Sequence, residues 1–591
     1  MSVGLIAARR RALPVALSSR QLEGAAALAL TTAIAVLANA HLLRRDVVEG
    51  DALVHQYWMR AFTDPALFTD ALTARLRGSE RYPDGYQGLF WLASHVADPI
   101  AFGEWLGVAL MAAAGWLVFA IVREHTDWRP AAWLGAVLFL ALQGHRFFGG
   151  FPRGFLHVVV LLTVLLALQR RERAAAGVAA GGALFYPPAA LLAIGVLCAS
   201  ALRWHGRRPG LDPRRARTAA LAAGLGLAAI LVPHLLSDGS ADVMSASEAR
   251  RFPEFGEHGD LHFFTTSVVE YLRQNRSGLD LRATGSMLLL AALGLLLMRG
   301  NVARLRAEVL ALPVVSLAAF ALAQAVLFTL YLPHRYTYPL LAFAAIAVAV
   351  TLRPTWEALA DRPLARVALA AAPLPLAYVA LTVFPLGPLR PASELAWWFW
   401  PALAAPALAA AFVRGASSGA LVCGLGLIVA VLALPGRVPP GQSCPATPAM
   451  QYLSTLPKDA VIAGDPMDLK CVPVSASRPV VISTQLAFSY ERGYFREGRA
   501  RMVASLRAYY GGSAAALAGL GRYGATHLLV KRGAVRQELA GVHPRWRGDA
   551  QPYGALVRGL LRGGEPAILH LPARCRRWHH GAQAVYDLRC L

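Results

Sequence analysis

The sequence predicts a polytopic α-helical membrane protein of about 11–13 transmembrane helices, followed by a C-terminal extracytoplasmic α/β domain. Three observations point there. Of 591 residues, 56% are hydrophobic and only 16% are charged, against about 45–50% and ~25% in soluble domains. The apolar residues come in blocks of about 15–22, long enough to cross a ~30 Å hydrocarbon core, and the blocks mostly lack the polar stripe of a soluble helix. From about position 437 the blocks give way to short β-rich runs.

The N-terminal stretch carries Arg9, Arg10, Arg11 and Arg20 ahead of the first apolar block. No small-x-small cleavage site is followed by a soluble domain, so the block reads as an uncleaved first span rather than a signal peptide. Thirteen candidate spans run along the chain: 24–43, 101–122, 130–144, 155–169, 174–186, 187–203, 218–236, 284–299, 308–331, 337–352, 366–385, 395–413 and 417–435. The two around Tyr186-Pro187-Pro188 form either a tight hairpin or one long kinked helix.

Arginines decide between these. Basic joints lie at Arg170, Arg171 and Arg173, at Arg203 through Arg217, at Arg299, Arg304 and Arg306, and at Arg353, Arg362 and Arg366. Cytoplasmic joints are enriched in Arg and Lys, and these joints share one side only if the chain reverses at Tyr186-Pro187-Pro188. The hairpin is therefore expected. With a cytoplasmic N-terminus, an odd number of spans places the C-terminal domain outside. High Ala, Arg and Gly usage suggests a GC-rich bacterial source, and so a bacterial inner membrane.

The expected division is a transmembrane domain over 1–436, with external loops at about 44–100 and 237–283, and a soluble α/β domain over 437–591. In the first loop, 51–62 and 65–77 have mixed polarity at helical spacing and read as interfacial helices anchored by Trp58 and Phe68. The charged second loop, with an amphipathic segment at 263–272, is either a lid or an ordered connection. In the soluble domain, strands are expected at 460–463, 480–483, 527–530, 567–571 and 584–588, with a helix around 499–510.

Net charge is +23, but it gathers in the joints and no nucleic-acid motif accompanies it, so a nucleic-acid partner is not expected. The soluble domain carries an excess of roughly a dozen positive charges, which suits anionic membrane lipids or a polyanionic glycan. Cys198 and Cys423 fall inside spans, whereas Cys444, Cys471, Cys575 and Cys590 lie in the soluble domain. An even number outside the cytoplasm fits two disulfides with three possible pairings; without tight C-x-x-C spacing, no metal site is expected.

Candidate chemistry begins just past the first span, at Glu49-Gly50-Asp51. His55 follows Asp51 by one helical turn, so the two side chains reach the same place. A carboxylate there can act as a general base, can ligate a divalent cation beside a phosphate, or can simply cap the next helix. A divalent cation is compatible with these residues and nothing in the sequence requires one. On the same side lie the joint Gly144 to Phe155, with His145, Arg146 and Arg153, and the joint Tyr331 to Pro339, with His334, Arg335 and Tyr336. Arginines beside glycines and aromatics can clamp a phosphate; the bland alternative is snorkelling arginines and an aromatic belt.

This layout resembles the GT-C superfamily of membrane glycosyltransferases, which includes oligosaccharyltransferase catalytic subunits, protein mannosyltransferases and aminoarabinose transferases. The resemblance covers most of the chain. Its local matches are Glu49-Gly50-Asp51, Phe185-Tyr186-Pro187-Pro188, Pro333-His334-Arg335-Tyr336, the stretch Tyr452 to Ile462, and Tyr523-Gly524-Ala525-Thr526-His527. It implies transfer of a sugar from a polyprenyl-phosphate donor to an envelope acceptor on the external face. Asp51 takes the place of the family's loop-one acid, with Glu49 and His55 beside it. Arg335, with His334, Arg146, Arg153 and Tyr336, would hold the lipid phosphate. One departure stands out: the aromatic doublet Tyr509-Tyr510 is followed by glycines and no acid, unlike the W-W-D motif of oligosaccharyltransferases, which argues against peptide Asn as acceptor. The competing readings are a glycolipid flippase or transporter and a non-catalytic scaffold. Transport is disfavoured because the charges sit at the span edges and no internal repeat is visible.

Overall fold

The computed structural model describes residues 18–44, 46–77, 82–205, 208–236, 243–257, 259, 261, 263–273, 276–281, 283–298, 300–330, 332–359, 361–362, 364–366, 369, 442–487, 489–541, 545–546 and 553–591. Among the described residues, ten helices build the transmembrane part: α1 (Ser19–Asn39), α2 (Pro99–Arg123), α3 (Arg129–Gln143), α4 (Phe155–Leu168), α5 (Glu172–Gly181), α6 (Pro187–Ala201), α7 (Pro213–Leu236), α8 (Ala283–Leu296), α9 (Ala307–Ala325) and α10 (Tyr338–Ala358). They coincide with the first ten expected spans. The expected spans at 366–385, 395–413 and 417–435 lie outside the described residues, apart from the first few positions of 366–385.

Local sequence sets the helix starts. Ser18 caps α1 in a capping box with Gln21, and Asp98 caps α2 by accepting from the Ile100 amide, with Pro99 at the first helical position. Five of the described helical stretches are long and apolar enough to cross a membrane: Ser19–Asn39, Pro99–Arg123, Pro213–Val232, Ala307–Ala325 and Pro333–Ala358. The others are shorter, as several of the expected blocks are. Helices α4 and α6 lie largely buried inside the bundle, where neighbouring helices rather than lipid surround them. By contrast α1 and α7 present Leu28, Leu37, Leu221 and Leu225 outward. In water each exposed leucine would forgo about 1.5–3 kcal/mol, whereas lipid tails are as apolar as the side chain. The chain is a multi-pass membrane protein.

Polar contacts show that the helices alternate strictly in direction. The start of α1 meets the end of α2 and the start of α3 through Glu23, which pairs with Arg123 at 3.3 Å and Arg129 at 3.6 Å. Arg306, just before α9, donates to the Leu168 carbonyl at the end of α4 over 2.8 Å. Arg215, at the start of α7, binds Glu172 at the start of α5 (3.4 Å), the Ser200 carbonyl at the end of α6 (3.1 Å) and Glu308 at the start of α9 (2.8 Å). Since Glu172 and Ser200 share this end, the chain reverses between them. Tyr186-Pro187-Pro188 makes the hairpin because the first proline disfavours helix in the residue before it and then starts α6. The described arginine joints gather at this end, which we call the basic end.

At the other end sits the C-terminal domain. Its four-stranded sheet has the order β3-β4-β6-β5, formed by Val461–Gly464 (β3), Ala525–Lys531 (β4), Arg576–His580 (β5) and Gln583–Asp587 (β6); β3 and β4 are parallel and the other pairs antiparallel. Helix α11 (Arg492–Tyr510) lies in the crossover. Two expected strands are absent as such. Val480 makes a single bridge to Ile462, and Ala567–His570 is a 3-10 turn framed by Pro566 and Pro572, neither of which has an amide to donate to a ladder. Strand β5 went unforeseen because its burial pattern is mostly exposed and its composition basic.

The domain is tied to the first loop. A two-residue ribbon pairs Val47–Val48 (β1) with Gln442–Ser443 (β2). Arg60 donates to the Val474 carbonyl over 2.6 Å and Lys458 pairs with Asp64 at 2.5 Å. Trp58 and Phe68 are 1% and 0% exposed and share one core with Leu453, Ile462 and Leu506. The expected interfacial anchoring by these two residues is therefore corrected: their apolar face meets protein, a choice that amphipathic spacing alone does not make. The second loop docks on α11 through Glu248 with Arg492 (2.7 Å) and Arg496 (2.9 Å), and through buried Glu254 with Arg499 (2.8 Å). Cys444 pairs with Cys471 and Cys575 with Cys590. Cys198 is a free thiol on the outer face of α6, and Cys423 lies outside the described residues.

Candidate functional site

A cavity of about 640 Å³ opens between the end of the bundle and the C-terminal domain. The structure brings Glu49, Asp51, His55, Arg146, Arg153, His334, Arg335 and Tyr336 to this one space.

The acidic wall follows directly from the ribbon. Strand β1 delivers the chain to Glu49, and Asp51 then occupies the cap position of the short helix Ala52–His55. Its side chain makes no capping hydrogen bond. The carboxylate instead forms an ion pair with Arg153, so the capping alternative does not describe it. The second arginine nitrogen lies 3.4 Å from Glu49, and the Asp51 amide donates to the other Glu49 oxygen over 2.5 Å. The Glu49 amide in turn donates to Glu104 of α2 over 3.3 Å. His55 shares a hydrogen bond of 2.8 Å with the Tyr82 hydroxyl.

Arg153 reaches these acids because of the glycines before it. Gly149 and Gly150 have φ of +74° and +61°, and a Cβ on Gly150 would sit 2.3 Å from the Gly103 carbonyl oxygen. Only glycine combines that conformation with so close an approach to α2. The tight turn then places Pro152-Arg153 at the head of α4.

The two carboxyls are driven apart in acidity. Burial, then the neighbouring Asp51 charge, pushes Glu49 up to about 8. Burial acts the same way on Asp51, but the Arg153 guanidinium, helped by His55 and Arg335, outweighs it and holds Asp51 well below the usual carboxylate range. The Asp51 side chain is 44% exposed and lines the cavity. Near neutral pH the pair therefore offers one ionised and one protonated carboxyl, the separation of roles that acid–base sites use.

The cationic wall comes from three joints. Arg146 is ion-paired with Asp280, donates to the Tyr338 hydroxyl over 2.8 Å and lies 4.2 Å above that ring. Arg335 stands 5.6 Å from the same ring, and its charge is felt by Asp51. His334 donates its Nδ1 proton to the Arg276 carbonyl over 2.7 Å, and the Tyr336 hydroxyl donates to the Leu330 carbonyl over 3.0 Å. Both of these groups already serve the backbone of the cavity wall. Leu191, Ile230 and Leu330 supply apolar lining.

Tyr82, Arg276, Asp280, Tyr490 and Glu491 also line the cavity, and reading the sequence did not single them out. Asp280 and Arg276 sit in the second loop, so a charged residue close before a span was their only signal. Tyr490 and Glu491 come from the C-terminal domain and carry no local motif. Among the described residues, no group of three His, Cys, Asp or Glu side chains is placed to hold a metal ion.

No protein-family profile and no curated protein matches the chain. Among solved structures it is similar to ArnT from Cupriavidus metallidurans in the apo state, at 15% identity and a TM-score of 0.49, over 88% of this chain and 95% of that one. It is also similar to the same ArnT bound to undecaprenyl phosphate, at 16% identity and a TM-score of 0.47, over 95% and 98%. A third similarity is to the arabinofuranosyltransferase AftD from mycobacteria, at 15% identity and a TM-score of 0.45, covering 95% of this chain but 40% of that one.

Proposed function

We propose that this chain is a membrane glycosyltransferase that moves a sugar from a polyprenyl-phosphate-linked donor to an envelope acceptor on the extracytoplasmic face. One observation carries the reading: a carboxylate, Asp51, ion-paired with Arg153, faces a cavity at the bundle end that also holds Arg335 and an apolar wall. An amphipathic donor needs those three features together. The arginine-rich joints lie at the opposite end, and positive residues mark the cytoplasmic side, so the cavity faces outward in this reading. The bacterial inner membrane is then its location.

The reaction balances with the residues at hand. The acceptor hydroxyl gives its proton to Asp51 while its oxygen bonds the anomeric carbon. The bond from that carbon to the phosphate oxygen breaks, and the departing polyprenyl phosphate keeps the electron pair. Its added negative charge is met by Arg335, an oriented cation that needs no rearrangement as charge develops. Arg153 keeps Asp51 ionised, and protonated Glu49 spares Asp51 a second negative neighbour.

The test is radiolabelled transfer in membranes from a panel of polyprenyl-phosphate sugars, comparing wild type with Asp51→Asn. General-base catalysis contributes about 10²–10⁴-fold, so transfer is expected to fall by that much in a folded variant. Equal transfer by both proteins would remove Asp51 from the chemistry, and no transfer by wild type across the panel would overturn the enzyme reading.

A further inference from the structure

A second cleft of about 650 Å³ lies in the C-terminal domain, outside the cavity described above. It opens beyond the carboxyl ends of the parallel pair β3 and β4, the position where open α/β sheets commonly bind ligands. Asp465 follows β3 directly and Lys531 ends β4. Buried Asp465 accepts from the Tyr510 hydroxyl at 2.6 Å and from Arg545 at 3.2 Å. Asp468 is gripped by both terminal nitrogens of Arg545, at 2.9 and 2.7 Å, and by Lys531 at 3.0 Å. These contacts fix the cationic heads in place before anything binds.

The lining is strongly one-sided in charge. Arg276, Lys470, Lys531 and Arg545 line it beside one carboxylate, Asp468, with Asp465 buried behind Arg545. Gln485 and Gln583 add amides that both donate and accept. No aromatic ring is among the described lining residues, so recognition there runs through charge and hydrogen bonds rather than ring stacking. The disulfide Cys444–Cys471 borders the cleft and stiffens that wall.

Two links join the cleft to the cavity. Arg276 lines both. Ser443, on the cleft wall, belongs to the ribbon that pairs with Val47, two residues before Glu49. The cleft and the cavity therefore adjoin at Arg276 and at this ribbon.

We infer that this cleft is a binding site for an anionic glycan, which it presents as acceptor to the cavity. The acceptor role rests on the transfer reading; the binding role does not. The test uses full-length protein in detergent, titrated with fluorescein-labelled hexagalacturonate by anisotropy, with labelled maltohexaose as the neutral counterpart. Wild type is expected to bind the uronate in a salt-sensitive manner and to prefer it over maltohexaose. The double variant Lys470→Gln, Lys531→Gln is expected to bind it about 10- to 100-fold more weakly, since two charge-assisted contacts are lost. Absence of any preference for the charged oligosaccharide in wild type overturns the inference, whether or not the variant folds. Equal binding by a folded variant overturns it too. Charge-selective binding by a protein that transfers no sugar would sink the enzyme reading and retain the cleft, so the two failures are distinguishable.

Discussion

Replacing Arg153 with Met leaves the shape of the turn and removes a cation that touches both Asp51 and Glu49. Two unit charges about 4 Å apart attract by roughly 4 kcal/mol at an effective dielectric of about 20. Asp51 is 44% exposed, so about half of that survives screening. About 2 kcal/mol corresponds to roughly a 30-fold change in proton affinity. The sign follows from the linkage. Asp51 has a folded-state pKa below its unfolded value, so the stabilisation from its ion pair is present above the ordinary value of 3.8 and is lost as pH falls through the folded pKa. Without Arg153 that stabilisation is gone, burial is opposed by one cation fewer, and the loss of ionised base moves to higher pH. The assay is transfer rate against pH, with unfolding in denaturant recorded alongside. The acid limb of Arg153→Met is expected roughly 1.5 pH units above that of wild type. If a folded Arg153→Met shows the same acid limb as wild type, Arg153 does not hold Asp51 ionised and the argument for the pair fails.

Other outcomes follow from the same geometry. Arg335→Gln is expected to lower kcat by about 10²–10³-fold with a smaller effect on KM, because it meets charge that develops on departure; a raised KM with kcat unchanged would assign it to ground-state binding instead. Glu49 lies above its ordinary value of 4.5, so its favourable neutral form is complete below that value and gone above about 8; transfer should decline as pH rises through about 8, and Glu49→Gln should flatten that limb. Opening the disulfide between Cys575 and Cys590 with a Cys575→Ser, Cys590→Ser variant releases a loop of about 15 residues, worth about 3 kcal/mol. Proteolysis of the C-terminal domain should report it as faster cutting, while an unchanged cleavage rate would count against that cost.

The transmembrane part was legible because lipid imposes a simple demand: every backbone polar group must be satisfied within the segment, so apolar length marks a helix wherever it occurs. The ten described helices of the transmembrane part fall on ten expected blocks, and the arginine joints implied the hairpin that Arg215 displays by touching both Glu172 and Ser200. The same clarity failed in the C-terminal domain. Segment 567–571 has an apolar run like a strand, and flanking prolines turned it into a 3-10 turn. Trp58 and Phe68 carried a helical apolar pattern that fits lipid and protein equally, and only packing against Leu453 and Ile462 decided for protein.

By itself, the sequence determined which segments are apolar, where the chain reverses, and that Glu49, Asp51, Arg153 and Arg335 lie at one end of the bundle. Tertiary structure alone decided what those residues do to each other. Asp51 and Arg153 stand 102 positions apart, and their contact depends on a glycine turn packed against α2. Tyr490 and Glu491 reach the cavity only because the C-terminal domain docks over it. Charge and hydrophobicity are properties of a residue and can be read in order along the chain. Acidity, pairing and enclosure belong to neighbours, and neighbours are set by the fold.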